Sequence, residues 1–199
     1  MLPIITISRE FGSGGHSIGK KTAEKLMIPF MDADIIDKAA EKLGYSRDVV
    51  EEQGESATGA SMIFNVSAAA TSYFRSQQDE IYLAQRQIII DQAKKGPCVI
   101  VGRCSDFILK QKEFKVLRVL IHSDIESRKK RILSRYGELK DVNIEKRIFK
   151  KDKERSTYYK YYTDHEWGDY NNYDLTLNTG LMGEDLSVDL ICETARKLS

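Results

Sequence analysis

The stretch Ile5–Leu26, ITISREFGSGGHSIGKKTAEKL, constrains this chain more than any other. An isoleucine-rich run, Leu2 to Ser8, reads as a short buried strand. It feeds a turn with four glycines in eight residues, and the turn feeds a helix predicted from about Ser17 to Met27. Ile18, Ala23 and Leu26 give that helix an apolar stripe at helical spacing. A plain tight turn needs one or two glycines. Four of them let the backbone wrap an anion at a helix N-terminus, where free N–H groups and the helix dipole both favour negative charge.

The phosphate-binding pattern GxxxxGK[ST] fits here in two registers. GGHSIGKK keeps a lysine, Lys20, but places Lys21 where a hydroxyl should follow, and it starts the helix barely two turns before Pro29. EFGSGGHS, Glu10 to Ser17, keeps Gly15 and Ser17 but places His16 in the lysine position and Glu10 in that of the first glycine. Helix length and the apolar stripe favour the second. In it Gly12, Ser13, Gly14, Gly15, His16 and Ser17 are the candidate phosphate ligands, with Ser17 placed for a Mg²⁺ ion and Lys20 and Lys21 nearby as further cations.

The rest of the chain alternates short apolar runs with helical patterns. IPFMD, CVIVGR, KVLRVLI and YDLTLNT read as strands two to five. Helices are predicted over ADIIDKAAEKLG, DEIYLAQRQIIIDQAKKGP, SDFILKQK, DIESRKKRILSRYG and EDLSVDLICETARKL. Asp141 to Tyr162 is one long basic helix or two joined ones, and Tyr45 to Gln77, with SATGAS and SAAAT, is helix broken by turns. Such alternation specifies a parallel sheet covered on both faces, an α/β fold whose ligands lie beyond the carboxyl ends of the strands. The turns after Ser8, Asp32 and Val101 should share that cleft. Asp32 and Asp34 can serve a metal's waters or an acceptor hydroxyl, or cap the next helix. Arg103, directly after a strand and a glycine, can grip phosphate in bidentate fashion.

At 199 residues, with 41% hydrophobic and 31% charged, the chain suits one globular domain. No apolar run reaches the roughly 20 residues of a membrane span, and no secretory leader is recognisable at Met1. Three scattered cysteines suggest reduced thiols, so a cytoplasmic location is expected. His122 and His165 have no partner spacing that suggests a metal or a triad. The net charge of +1 argues against nucleic acid as a partner. Arg128 to Lys160 nevertheless carries 13 Lys/Arg against five Asp/Glu. That is either a solvated helical face or a basic lid for polyanionic phosphate. The tyrosines and Trp167 beyond it either stack on a base or pack at the lid's root. The roles of Arg47, Arg75 and Arg86 are not decided by the sequence.

ISREFGSGGHSIGKKTAEKL, IPFMDADII, PCVIVGRCSDFIL, DxxRxxYYKYYTDHEW from Asp152 and NYDLTLNTG occur in an order and spacing that resemble the cytidylate kinase-like family, relatives of bacterial cytidylate kinase among the P-loop nucleoside monophosphate kinases. The resemblance covers nearly the whole chain. It implies a P-loop NTPase-type three-layer α/β/α domain with a five-stranded parallel sheet, a monophosphate-binding insertion at about 34–95 and a lid at about 134–162. It also implies ATP and Mg²⁺ as cofactors and small-molecule nucleotides as partners, with CMP or dCMP the expected acceptor. On this pattern Asp32 serves the metal or orients the acceptor, assisted by Asp34. Lys38, where the family has arginine, and Arg103 grip the acceptor phosphate. Arg131 and the Asp152–Arg155 pair supply the lid's cations and their carboxylate. His16 stands where cytidylate kinases carry the loop lysine. Two other expectations therefore stand beside catalysis: a nucleotide-binding module that senses or scaffolds, and a P-loop kinase for a non-nucleotide acceptor.

Overall fold

The computed structural model describes residues 1–54, 76–137 and 143–199. Five strands, β1 (Ile4–Arg9), β2 (Phe30–Met31), β3 (Val99–Val101), β4 (Val116–His122) and β5 (Leu175–Asn178), form one sheet in the order β2-β3-β1-β4-β5. Every neighbouring pair is parallel. The helices are α1 (Gly15–Leu26), α2 (Ala33–Leu43), α3 (Arg47–Gln53), α4 (Gln77–Ala93), α5 (Ser105–Lys110), α6 (Ile125–Tyr136), α7 (Ile144–Thr163) and α8 (Thr179–Lys197). The expected three-layer α/β/α fold with a five-stranded parallel sheet is what is observed.

The two-residue period of the strands explains the layering. Ile5 and Ile7 of β1, with Val99 and Val101 of β3, face one side, where α1 and α8 cover them with Ile18, Leu26, Val188 and Ile191. Ile4 and Ile100 face the other side and meet Ile35, Ile89, Ile108 and Tyr158 from α2, α4, α5 and α7. A strand buried on both faces must be apolar at nearly every position, hence the unbroken runs read from the sequence. Cys98, Cys104 and Cys192 are all buried. They act as small apolar residues, and burial pushes the Cys98 thiol up to about 11.

The starts of α1 and α8 differ from expectation, and α7 takes the first of its two expected forms. Helix α1 starts two residues early, because Gly14 takes the left-handed conformation (φ 93) that ends the loop and leaves Gly15 helical. Helix α7 is continuous over its described length, with the Asn143 side chain capping the Lys146 N–H at 3.0 Å. Helix α8 begins at Thr179 rather than Glu184 and is broken at Gly183 (φ 74, ψ 176). The SATGAS and SAAAT segments, and Arg75, lie outside the described residues.

Candidate active site

The helix start at Gly15 selects the second register. Gly19, the alternative landmark, lies inside α1 and faces Phe30, Val101 and Ile7, where an added Cβ would come within 3.1–3.2 Å of side-chain atoms. It is a packing glycine. His16 therefore occupies the position of the customary lysine, and Ser17 follows it. Lys21 does not reach the loop. It is held by Glu184 at 2.9 Å and Asp185 at 3.0 Å on the α8 side, while Lys20 is exposed.

The loop is braced from four directions. Its Phe11 N–H donates to Asp152 Oδ1 at 2.8 Å, and its Phe11 carbonyl accepts from Arg128 Nε at 2.8 Å. Arg128 is buried between two carboxylates, pairing with Asp152 and with Glu10 at 3.2 Å. The Ser123 N–H donates to Glu10 at 3.0 Å, and the Thr179 hydroxyl donates to the Ser13 carbonyl at 2.7 Å. The Ser13 hydroxyl turns inward, toward the carbonyls of Glu10 (2.9 Å) and Ile121 (3.1 Å). Ser13, expected at the phosphates, and Asp152, expected as the carboxylate of the lid's cations, both make hydrogen bonds that shape the loop. Gly12, Gly14, Gly15, His16 and Ser17 line a cleft of about 250 Å³. The first-turn N–H groups of α1 have no intrahelical acceptor and suit an anion there.

Arg131 covers this cleft. Its guanidinium lies so near Gly14 that a Cβ there would sit 2.6 Å from Cζ, and Nη2 donates to Ser17 Oγ at 3.1 Å. Gly14 is thus glycine for two reasons, a positive φ and the approach of Arg131. Arg155 donates to the Arg9 carbonyl at 2.9 Å, and its Cζ lies 5.8 Å from the centroid of the Phe11 ring. It lines this cleft and a second one of about 360 Å³, as do Phe11 and His16.

The second cleft is walled by Asp32, Arg47, Glu51, Arg103 and Lys151. At its junction with the first, His16 Nδ1 meets Asp32 Oδ2 at 2.6 Å, with the imidazole edge-on to Phe30. Asp32 makes no side-chain cap bond to α2. Its carboxylate meets His16 instead. Asp34 and Lys38 are both exposed on α2 and outside the lining of either cleft. Arg47, left undecided by the sequence, stands in the wall and pairs with Asp37 at 3.0 Å.

Arg103 is buried and sits in a run of left-handed residues, Gly102 (φ 72), Arg103 (φ 60) and Cys104 (φ 53). Non-glycine residues resist this conformation, and such strain concentrates at functional sites. Behind the turn, Asp106 accepts from the Tyr159 hydroxyl at 2.7 Å. Burial holds the Asp106 carboxyl above its ordinary range, partly offset by that hydrogen bond. Trp167, Tyr158 and Tyr162 pack in the core on this side, and Tyr82 stacks on Tyr162, so the packing reading of the aromatic stretch holds for them. His165 meets Asn172 Oδ1 at 2.9 Å and lies edge-on to Phe107, and the His122 carbonyl accepts from Thr179, so both have structural surroundings.

No group of three or more His, Cys, Asp or Glu among the described residues is arranged to hold a metal by itself. Magnesium bound with a nucleotide needs only one or two protein ligands, and the hydroxyl of Ser17 beside the glycine cradle fits that demand. No helix among the described residues is long and apolar enough to cross a membrane.

A sheet in this order, with a glycine loop between β1 and α1 and two clefts meeting beyond the strand ends, is that of a P-loop kinase. A shikimate kinase structure from Bacteroides thetaiotaomicron shares the fold, with a TM-score of 0.54 at 13% identity, over all of this chain and 98% of that one. The chain belongs to the cytidylate kinase-like family, whose sequence profile matches residues 4–181. It is 29% identical over 189 residues to a cytidylate kinase of Archaeoglobus fulgidus, covering 94% of this chain and 91% of that one. The crystal structure of an uncharacterized protein from Eubacterium ventriosum matches with a TM-score of 0.67 at 28% identity, over 98% of each chain. Family and fold together make it a kinase for a nucleotide or small molecule.

Proposed function

We propose that the chain transfers the γ-phosphoryl group of ATP to a nucleoside monophosphate, with CMP or dCMP as the acceptor. The observation that carries this reading is the pair of clefts joined at His16 and Arg155, one against the glycine loop and the other walled by Arg47, Arg103 and Lys151. In the first, the backbone of Gly12 to Ser17 would hold the donor's phosphates, with Mg²⁺ at Ser17 and Asp32 neutralising their charge. In the second, Arg103 and Arg47 would grip the acceptor's phosphate. Arg131 and Arg155 would face the transferring group, where cations lower the barrier by matching charge that spreads over its oxygens. Lys38, the family-position candidate, would reach the acceptor only if α2 moved.

The His16–Asp32 contact favours a second reading. An imidazole held through Nδ1 by a carboxylate has Nε2 available to take a proton, which a hydroxyl acceptor requires and an ionised phosphate does not. Coupled ADP release with Mg·ATP across CMP, dCMP, UMP, AMP, GMP, shikimate and gluconate separates the two, with a His16→Lys variant alongside. Turnover confined to CMP and dCMP supports the first reading. Turnover with a hydroxyl acceptor replaces it, and silence from both proteins leaves a nucleotide-binding module or an acceptor outside this panel.

A further inference from the structure

Arg131 meets three elements at once. It leans on the loop at Gly14, donates to Ser17 at the start of α1, and is in direct ionic contact with Glu184 of α8. The Glu184 carboxylate also holds Lys21 Nζ at 2.9 Å. The break at Gly183 places Glu184 at the head of the regular part of α8, and the Ser187 hydroxyl donates back to the Gly183 carbonyl at 2.6 Å. Side-chain exposure is 29% for Arg131 and 21% for Glu184. The pair is therefore shielded from water more than an ordinary surface ion pair, whose contribution is near zero.

The cradle thus contains a cation that an acidic side chain already holds. His16, in the place of the loop's customary cation, is turned to Asp32. Glu184 lies beyond residue 181, where the match to the family profile ends, so the family pattern did not indicate it.

We propose that Glu184 is a positioning residue that acts on the phosphate donor through Arg131 and lowers donor affinity. A carboxylate and a polyphosphate compete for one guanidinium. Before Arg131 turns to the donor, its bond to Glu184 must break, and the free energy of that bond is subtracted from donor binding. The effect is electrostatic and is screened by salt. The proposal rests on the reading of the glycine loop as the donor site.

The test is calorimetric titration of the full chain with Mg·ATP and, to exclude turnover, Mg²⁺ with a non-hydrolysable imido analogue. Wild type, Glu184→Gln, Glu184→Asp, Arg131→Ala and the Arg131→Ala/Glu184→Gln double variant are compared, each checked for an intact melting transition. Glu184→Gln is expected to bind about five- to tenfold tighter. The gain should shrink as salt is raised, Glu184→Asp should stay near wild type, and KM for ATP should fall with kcat nearly unchanged. In the Arg131→Ala background the same substitution should have no effect. Equal or weaker binding by Glu184→Gln overturns the proposal, and so does an equal gain without Arg131, which would show that only bulk charge was removed. A wild type that does not bind Mg·ATP at all refutes the donor-site reading itself and takes the proposal with it. That outcome is read from the wild-type titration alone.

Discussion

The glycine loop is tied to the fold by groups from the turn after β4 and from α6, α7 and α8, with Arg128 and its two carboxylates at the centre. The wall of the second cleft is held differently. Arg47 stands on a seven-residue helix and pairs with Asp37, both about half exposed. Strand β2 beside it has two residues. Arg103, by contrast, is set deeply, in a strained turn. One cleft is fixed by buried charge pairs and backbone shape, the other largely by surface pairs worth about 0–1 kcal/mol each. Substitutions in the braces of the first should unfold the protein, whereas those in the wall of the second should change what it accepts and leave the fold intact.

The largest effect is expected at Arg128. Arg128→Ala leaves Glu10 and Asp152 without their shared cation and should cost about 3–5 kcal/mol in urea unfolding. A loss below about 1 kcal/mol would show that the loop stands without this brace, and the contrast would fail. Arg103→Ala comes next. It should lower kcat/KM for the acceptor about 10- to 100-fold, through both KM and kcat, with little change in the melting temperature. Wild-type kinetics would remove Arg103 from the site, and a collapse in stability would show that its turn is a structural device.

A smaller effect concerns the ground beneath that turn. Burial raises the Asp106 pKa above its ordinary 3.8, so the folded state binds this proton more tightly than the unfolded one. Its stabilising contribution is complete below 3.8 and is lost as pH rises through the raised folded value. In Asp106→Asn that titration is absent, so melting temperature followed upward from the ordinary carboxyl range should decline less than in wild type. Parallel curves would mean that the group is not desolvated. The smallest change is expected for Lys38→Ala, less than about twofold in acceptor KM for an exposed residue. A tenfold rise would return Lys38 to the acceptor grip and make α2 a moving part.

What could be read in advance divides along the same line. The glycines, the strand runs and the placement of His16 and Asp32 after β1 and β2 were legible, because each follows from local spacing. The outward placement of Lys38 was also written in α2, since Asp34 and Lys38 lie four apart on the face opposite Ile35, Ile36, Ala39 and Ala40. The family position had pointed the other way. By contrast, nothing local marks Asp152 as the partner of a backbone N–H 141 positions away. Nor does anything local mark Glu184 as the partner of Arg131, because the Gly183 break that aims it lies just before the pattern read as helix from Glu184 onward. Pairings of this kind are set by topology.

The Thr179 hydrogen bond to Ser13 has a consequence for how the molecule is made. It spans 166 positions, and α8, in which it begins, also packs against α1. A chain emerging N-terminus first presents its glycine loop well before the groups that hold it open, which follow only after Asp152 and then Thr179 have been synthesised. Contacts that distant in sequence close late and slowly. Nascent chains stalled before residue 175 should therefore carry the glycine loop without any capacity to retain nucleotide. The glycine loop is translated ahead of the groups that hold it open and has to wait for them.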